Sequence, residues 1–135
     1  MAVVRQLDWR AAGLGAGVTL AILEPPVQII NALKANDPPG EESFLWIVGA
    51  LAFFVAFPFG GFYAARRRPR TPFLHSAVAA ALALVAALVI RALVDMITDD
   101  EASFSIVTTL LLAQIAISLG VLGGYVATAR RARRA

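Results

Sequence analysis

Apolar residues run almost without interruption through four stretches of this chain, at positions 11–33, 45–65, 73–93 and 105–127, each followed by a short polar or charged segment. A helix rises 1.5 Å per residue, so about 20 residues cross a hydrocarbon core of about 30 Å, and all four stretches are long enough. Their apolarity is continuous. Lipid-facing strands instead alternate and need only about 10 residues each, so the pattern selects helices over a barrel. A soluble four-helix bundle would need a polar face on every helix, and these stretches lack one. The pattern predicts an all-α polytopic membrane protein, a bundle of four transmembrane helices forming a single transmembrane domain over 1–135. The longest loop left over, 34–44, is too short to fold alone. Arg5 and Arg10 precede the first apolar stretch as they would in a leader, but the stretch continues to Ile30 without an A-x-A-like site, which marks a retained helix.

Composition agrees and narrows the chemistry. Hydrophobic residues make up 59% of the chain and charged residues 16%, against about 45–50% and about 25% in soluble domains; the mean hydropathy is +0.75. The chain has no cysteine and a single histidine, which removes disulfides, thiolate metal sites and His-rich zinc sites and argues against a Ser-His-Asp triad. No phosphate-binding P-loop, H-E-x-x-H or dinucleotide fingerprint is present, so neither enzymatic activity nor a cofactor or metal is expected.

Charge placement sets the threading. Arg5 and Arg10 precede helix 1, Arg66, Arg67, Arg68 and Arg70 lie between helices 2 and 3, and Arg130, Arg131, Arg133 and Arg134 follow helix 4. Asp37, Glu41, Glu42, Asp99, Asp100 and Glu101 fall on the other side, with Lys34. The positive-inside rule makes both termini cytoplasmic. Eleven of the twelve basic residues are Arg and alanine is abundant, which points to a bacterial inner (plasma) membrane. Trp9, Tyr63 and Tyr125 at the inner ends, and Phe44, Trp46 and Phe104 at the outer ends, sit where interfacial rings belong. Arginines at membrane ends attract anionic headgroups at about 1 kcal/mol per charge. Headgroups, not nucleic acid, are therefore their expected partner.

The inner ends of helices 2 and 4 echo each other. Gly60-Gly61-Phe62-Tyr63-Ala64-Ala65-Arg66-Arg67-Arg68 and Gly123-Gly124-Tyr125-Val126-Ala127-Thr128-Ala129-Arg130-Arg131 agree at five of nine positions, and Ser43-Phe44 and Ser103-Phe104 open both helices. Two hairpins threaded alike would form a parallel tandem repeat about an axis along the membrane normal; the alternative is that Gly-Gly followed by Arg is simply how such helices end. The segment from Gly60-Gly61-Phe62-Tyr63 through Pro72-Phe73-Leu74-His75-Ser76 resembles a group of small four-helix bacterial membrane proteins of unknown function. In that group a Gly-Gly-aromatic helix end precedes a short loop and a Leu-His-Gly opening of helix 3; here Ser76 stands in place of that glycine. The resemblance implies the four-span layout and carries no activity.

Few polar residues interrupt the spans. Glu24 lies about 20 Å along helix 1, near the midplane, where a carboxylate costs about 2–4 kcal/mol and ordinarily faces protein or water. Gln28 and Asn31 follow on its face, and Gly13 and Gly17 continue that stripe inward. Pro25 and Pro26, each lacking a backbone donor, are expected to kink or break helix 1, and Pro58 to bend helix 2. Arg91 near the outer end of helix 3 is matched by Asp95 one turn on; a pairing with Glu24 would require helix 1 to be shortened. His75 beside the arginines reads as a polar anchor or cap contact, or else a proton acceptor. Gln114 and Ser118 are placed to hydrogen-bond across helices. Ala80, Ala83 and Ala87 on helix 3, and Gly120 and Gly124 on helix 4, form small-residue faces that let backbones approach.

Two functions fit. One is a structural or accessory protein acting through helix packing, as a homo-oligomer or within a larger membrane complex. The other is a minimal proton- or cation-coupled transporter with Glu24 as its site. Four short helices with one acid in the first, at Ala21-Ile22-Leu23-Glu24, are faintly similar to the small multidrug-resistance exporters. The Pro-Pro pair after the acid, the missing aromatic positions and the one-sided arginines depart from that family.

Overall fold

The computed structural model describes residues 7–34, 42–98 and 105–133. Asp37, Glu41, Asp99, Asp100, Glu101, Ser103, Phe104, Arg5 and Arg134 lie outside that set, as do the side chains of Lys34, Glu42, Ser43 and Trp46. Four helices make up the fold: α1 (Trp9–Lys34), α2 (Glu42–Arg67), α3 (Pro72–Thr98) and α4 (Ile106–Ala132). Each contains a segment long and apolar enough to cross a membrane, so the chain is an all-α, multi-pass four-helix bundle.

Local chemistry sets the helix ends. Asp8 Oδ1 accepts the Arg10 and Ala11 N–H groups at 2.9 and 3.4 Å, capping α1. Pro72 supplies the fixed φ and absent donor that suit a first helical position, and opens α3. Ser105, in extended conformation, accepts the Thr108 N–H and starts α4. Arg66 and Arg67 close α2, and Arg130 and Arg131 close α4, opposite the partial negative charge of the helix C-termini.

The expected break in helix 1 does not occur. α1 continues through Pro25 and Pro26, and α2 through Pro58, without interruption. Each proline removes one backbone donor, a loss that a helix spanning a membrane tolerates because neighbouring helices and local adjustment satisfy the freed carbonyls.

Among the described residues α2 and α3 each contact all three other helices, while α1 and α4 do not touch. The bundle is therefore a rhombus in the order α1, α2, α4, α3, with α2 and α3 on its short diagonal. A two-fold exchanging α1 with α3 and α2 with α4 would make the α2–α3 and α1–α4 contacts equal. Here one exists and the other does not. Any kinship between the hairpins lies in sequence, not in symmetric packing.

The centre is built from small residues. Ala56, Ala83 and Ala116 are fully buried, Ala80 almost so, with Phe57 the largest fully enclosed side chain. Lipid tails are as apolar as leucine, so helices associate by close backbone packing, not by hydrophobic exclusion. One close approach is at Gly61 and Gly120: a Cβ on Gly61 would meet the Gly120 carbonyl, with Gly120 C and Cα at 2.7 and 2.8 Å. Gly15 and Gly60 bring α1 onto α2 in the same way, a Cβ on Gly15 falling 2.8 Å from Gly60 O. Large apolar side chains such as Leu51, Val89, Leu110 and Leu111 point outward, as a bilayer requires.

Candidate functional site

Towards the end of the bundle opposite Arg66 and Arg130 the helices frame a cavity of about 420 Å³ that opens to the surface at Gln28, Asn31 and Arg91. α1 contributes Glu24, Gln28 and Asn31, and α3 contributes Arg91 and Asp95. Apolar walls come from Phe53, Phe54, Leu84, Leu88, Leu112 and Ile115. Gln28 Nε2 donates to Glu24 Oε2 at 3.2 Å, which the one-turn spacing allows. Arg91 Nε lies 3.5 Å from Asp95 Oδ2. The arginine side chain is 60% exposed and the aspartate 14%, so the base reaches outward while the acid stays inside. Asp95 Oδ2 is buried and accepts no hydrogen bond, so only the ion pair compensates it. The cavity thus holds two carboxyl groups and one guanidinium around apolar walls. Asp95 is a second acid that sequence reading assigned only to its arginine. No cluster of metal-ligating residues exists among the described residues.

At the opposite end a second polar arrangement ties three helices together. His75, on the first turn of α3, is fully buried. The Asp8 N–H donates to His75 Nε2 at 2.9 Å, so that nitrogen carries no proton. His75 Nδ1 is then the protonated nitrogen; it lies 2.8 Å from the Thr71 carbonyl and 3.0 Å from its hydroxyl. This is the neutral Nδ1–H tautomer, held on both sides. Asp8 also pairs with Arg68, whose Nε donates to Oδ2 at 2.6 Å. That hydrogen bond holds the Asp8 carboxyl below its ordinary value of 3.8; desolvation opposes it, and the Arg10 and Ala11 N–H groups each lower it by less. One aspartate therefore caps α1, anchors the α2–α3 turn and orients the histidine.

Ser76 completes this junction. Its Oγ lies 2.8 Å from both the Gly61 and Pro72 carbonyls, so one hydroxyl proton serves α2 and α3 between them. Gly124 of α4 packs on it, a Cβ there falling 3.1 Å from Ser76 Cβ. The two halves of the Gly60–Ser76 segment, separate in sequence, are thus in contact, and all four helices meet at or beside them.

The small residues divide in a way that periodicity did not show. Ala80 and Ala83 are buried, Ala87 packs against the core, and Gly120 and Gly124 sit at crossings. Gly13 and Gly17 do not pack within the bundle: nothing lies within 4 Å of a Cβ built at either, and the glycine that approaches α2 is Gly15. Gln114 and Ser118 also differ from expectation. Both are exposed, and Ser118 Oγ donates back to the Gln114 carbonyl at 2.8 Å within α4. Sequence reasoning passed over Asp8, although an aspartate just before a helical pattern is an N-cap signal. It also passed over Thr19, buried and bonded to Gly15 O at 3.1 Å, for which periodicity offered no cue.

Compared with protein-family models, with curated proteins and with solved structures, the chain matches none.

Proposed function

We propose that this chain is a small integral membrane protein that acts by helix packing, and that it self-associates through α1. It would sit in a bacterial inner membrane with both termini in the cytoplasm, as its one-sided arginines indicate. The observation that carries the proposal is the glycine pair on α1. Of the nine described glycines, seven meet neighbouring atoms on adding a Cβ, and only Gly13 and Gly17 face open space. Ala21 and Gln28 are exposed on the same side of α1, with Glu24 half-buried between them. A small-xxx-small face is what a second helix needs for close approach. A polar pair at its far end is disfavoured against lipid and gains hydrogen-bond partners against protein. The stripe carries both a donor and an acceptor, so a second copy of α1 suits it, with a larger membrane complex as the other setting.

The chain has no cysteine, which makes the test direct. Ala21→Cys should form a disulfide-linked dimer in native membranes under mild oxidation, while Val89→Cys, exposed on α3, should not. Equal cross-linking at both positions, or none at Ala21, contradicts the proposal.

A second reading has its own observation. Glu24 and Asp95 line one cavity beside apolar walls, and two carboxyl groups at membrane depth are how proton- or cation-coupled transport is commonly built. Glu24→Gln should then abolish proton-linked flux in proteoliposomes while the helix content stays unchanged; undiminished flux excludes this reading.

A further inference from the structure

The inner ends of α2 and α4 form a cleft of about 290 Å³ that neither role above uses. Phe62, Ala65, Pro69 and Ala127 supply its apolar surface, and Arg66, Arg130 and Arg131 line it. Two of these arginines flank one ring: Arg66 Cζ is 5.9 Å and Arg130 Cζ 5.7 Å from the Phe62 centroid. The ring's quadrupole attracts each cation but neutralises neither. Among the described residues no carboxylate lines the cleft. The ion pairs among the described residues engage Arg68 with Asp8 and Arg91 with Asp95, and Arg67 is bonded to the Tyr63 hydroxyl at 3.2 Å. Three guanidinium groups therefore line one cleft without an acidic partner among the described residues. The two helix C-termini beside them each contribute about half a negative charge, which leaves about two positive charges to be met.

We infer that this cleft is a binding site for a membrane lipid whose headgroup carries two phosphates. A dianion matches the residual charge, and the planar arginine fork suits phosphate oxygens. The cleft sits where the spans Ile47–Arg67 and Ile106–Ala132 end, which is headgroup depth. Phe62 and Ala127 present apolar surface to the start of an acyl chain, whereas a soluble anion would leave that surface unused. Basic pockets between helix ends are a general way of holding such headgroups. The site does not depend on self-association through α1, because α4 lies across the bundle and does not touch α1.

Native mass spectrometry of the purified chain tests this, with tetraoleoyl diphosphatidylglycerol, dioleoyl phosphatidylglycerol and inorganic pyrophosphate as competing probes. One diphosphate lipid per chain should be retained in preference to the one-phosphate lipid. Arg66→Gln and Arg130→Gln should each weaken retention about fivefold, and the triple change with Arg131→Gln should abolish it. Arg70→Gln, outside the cleft, should change nothing. Arg130→Lys keeps the charge but loses the fork and should fall between. Helix content and lipid-free thermal midpoint, unchanged in the variants, show that the fold is intact. Equal retention of the two lipids per phosphate, or equal loss in Arg70→Gln, would overturn the site. Pyrophosphate displacing the lipid at equal concentration would overturn the lipid assignment.

Discussion

Gly61→Ala is the sharpest test of how this bundle is held together. The added methyl group would face the Gly120 carbonyl, with Gly120 C and Cα at 2.7 and 2.8 Å. Carbon atoms pack at about 3.5–4.0 Å, and what the methyl meets is backbone, which has no rotamer to change. α2 and α4 must therefore separate by about 1 Å at this crossing. A gap of that size forfeits a quarter to a half of the dispersion attraction of the atoms it parts, and overpacking generally costs about 1–3 kcal/mol. Replacing glycine by alanine in a helix returns up to about 1 kcal/mol. Because backbone is struck, the net effect should lie near a loss of about 2 kcal/mol, or about 30-fold in the ratio of folded to unfolded protein. Gly49→Ala is the matched control, since its methyl group meets only Ile30 Cδ1, at an ordinary 3.5 Å, and lies away from the Gly13–Gly17 face of α1; it should be neutral or slightly stabilising. Titration from a mild detergent into dodecyl sulfate, followed by circular dichroism, reads both. Coincident unfolding curves for Gly61→Ala and Gly49→Ala would refute the close-packing argument.

Other consequences concern the polar groups. His75→Phe fills the same space but leaves the Asp8 N–H without its acceptor, and should destabilise the bundle by about 1–3 kcal/mol in the same titration; a variant as stable as the parent would remove the histidine from the junction. The Asp8 carboxyl is held below 3.8, chiefly by Arg68. Its contribution is therefore complete above that value and is lost as pH falls through the lower folded one. The difference in thermal midpoint between the parent and Asp8→Asn should be flat above pH 4 and shrink below it; a difference that grows on acidification would be contrary. Asp8→Ala, which removes the cap that asparagine would keep, should also fray α1 first, seen as faster amide exchange at Trp9–Ala12 than elsewhere in the helix; uniform exchange along α1 would speak against the cap.

How much of this was legible in the sequence follows from which forces act over short and long ranges. The spans depend on runs of apolar residues, a property of single segments, and 11–33 or 105–127 needed no knowledge of neighbours. The pairing of Arg91 with Asp95 is likewise local, one turn apart on α3. Glycine positions were not local. Gly13, Gly15 and Gly17 look equivalent in sequence, yet only Gly15 meets α2, because the rotation of α1 is decided by the backbones it packs against. Of the kink or break expected at Pro25 and Pro26, the structure excludes the break, because each proline removes only one donor and packing against the neighbouring helices holds the rest of α1. Asp8 and His75, 67 residues apart, form one hydrogen bond that only the assembled bundle reveals. Asp95 joined Glu24 in a cavity for the same reason.

The central claim is that α1 offers its Gly13–Gly17 face to a second copy. Energy transfer between differently labelled chains in proteoliposomes, measured as the lipid-to-protein ratio is raised, tests it most directly. The parent protein should hold its transfer efficiency over a broad range of dilution. The Gly13→Leu and Gly17→Leu double variant, whose added side chains occupy open space and leave the bundle folded, should lose transfer at the first dilutions. Persistence of transfer in that variant, or its absence in the parent, would contradict self-association through α1.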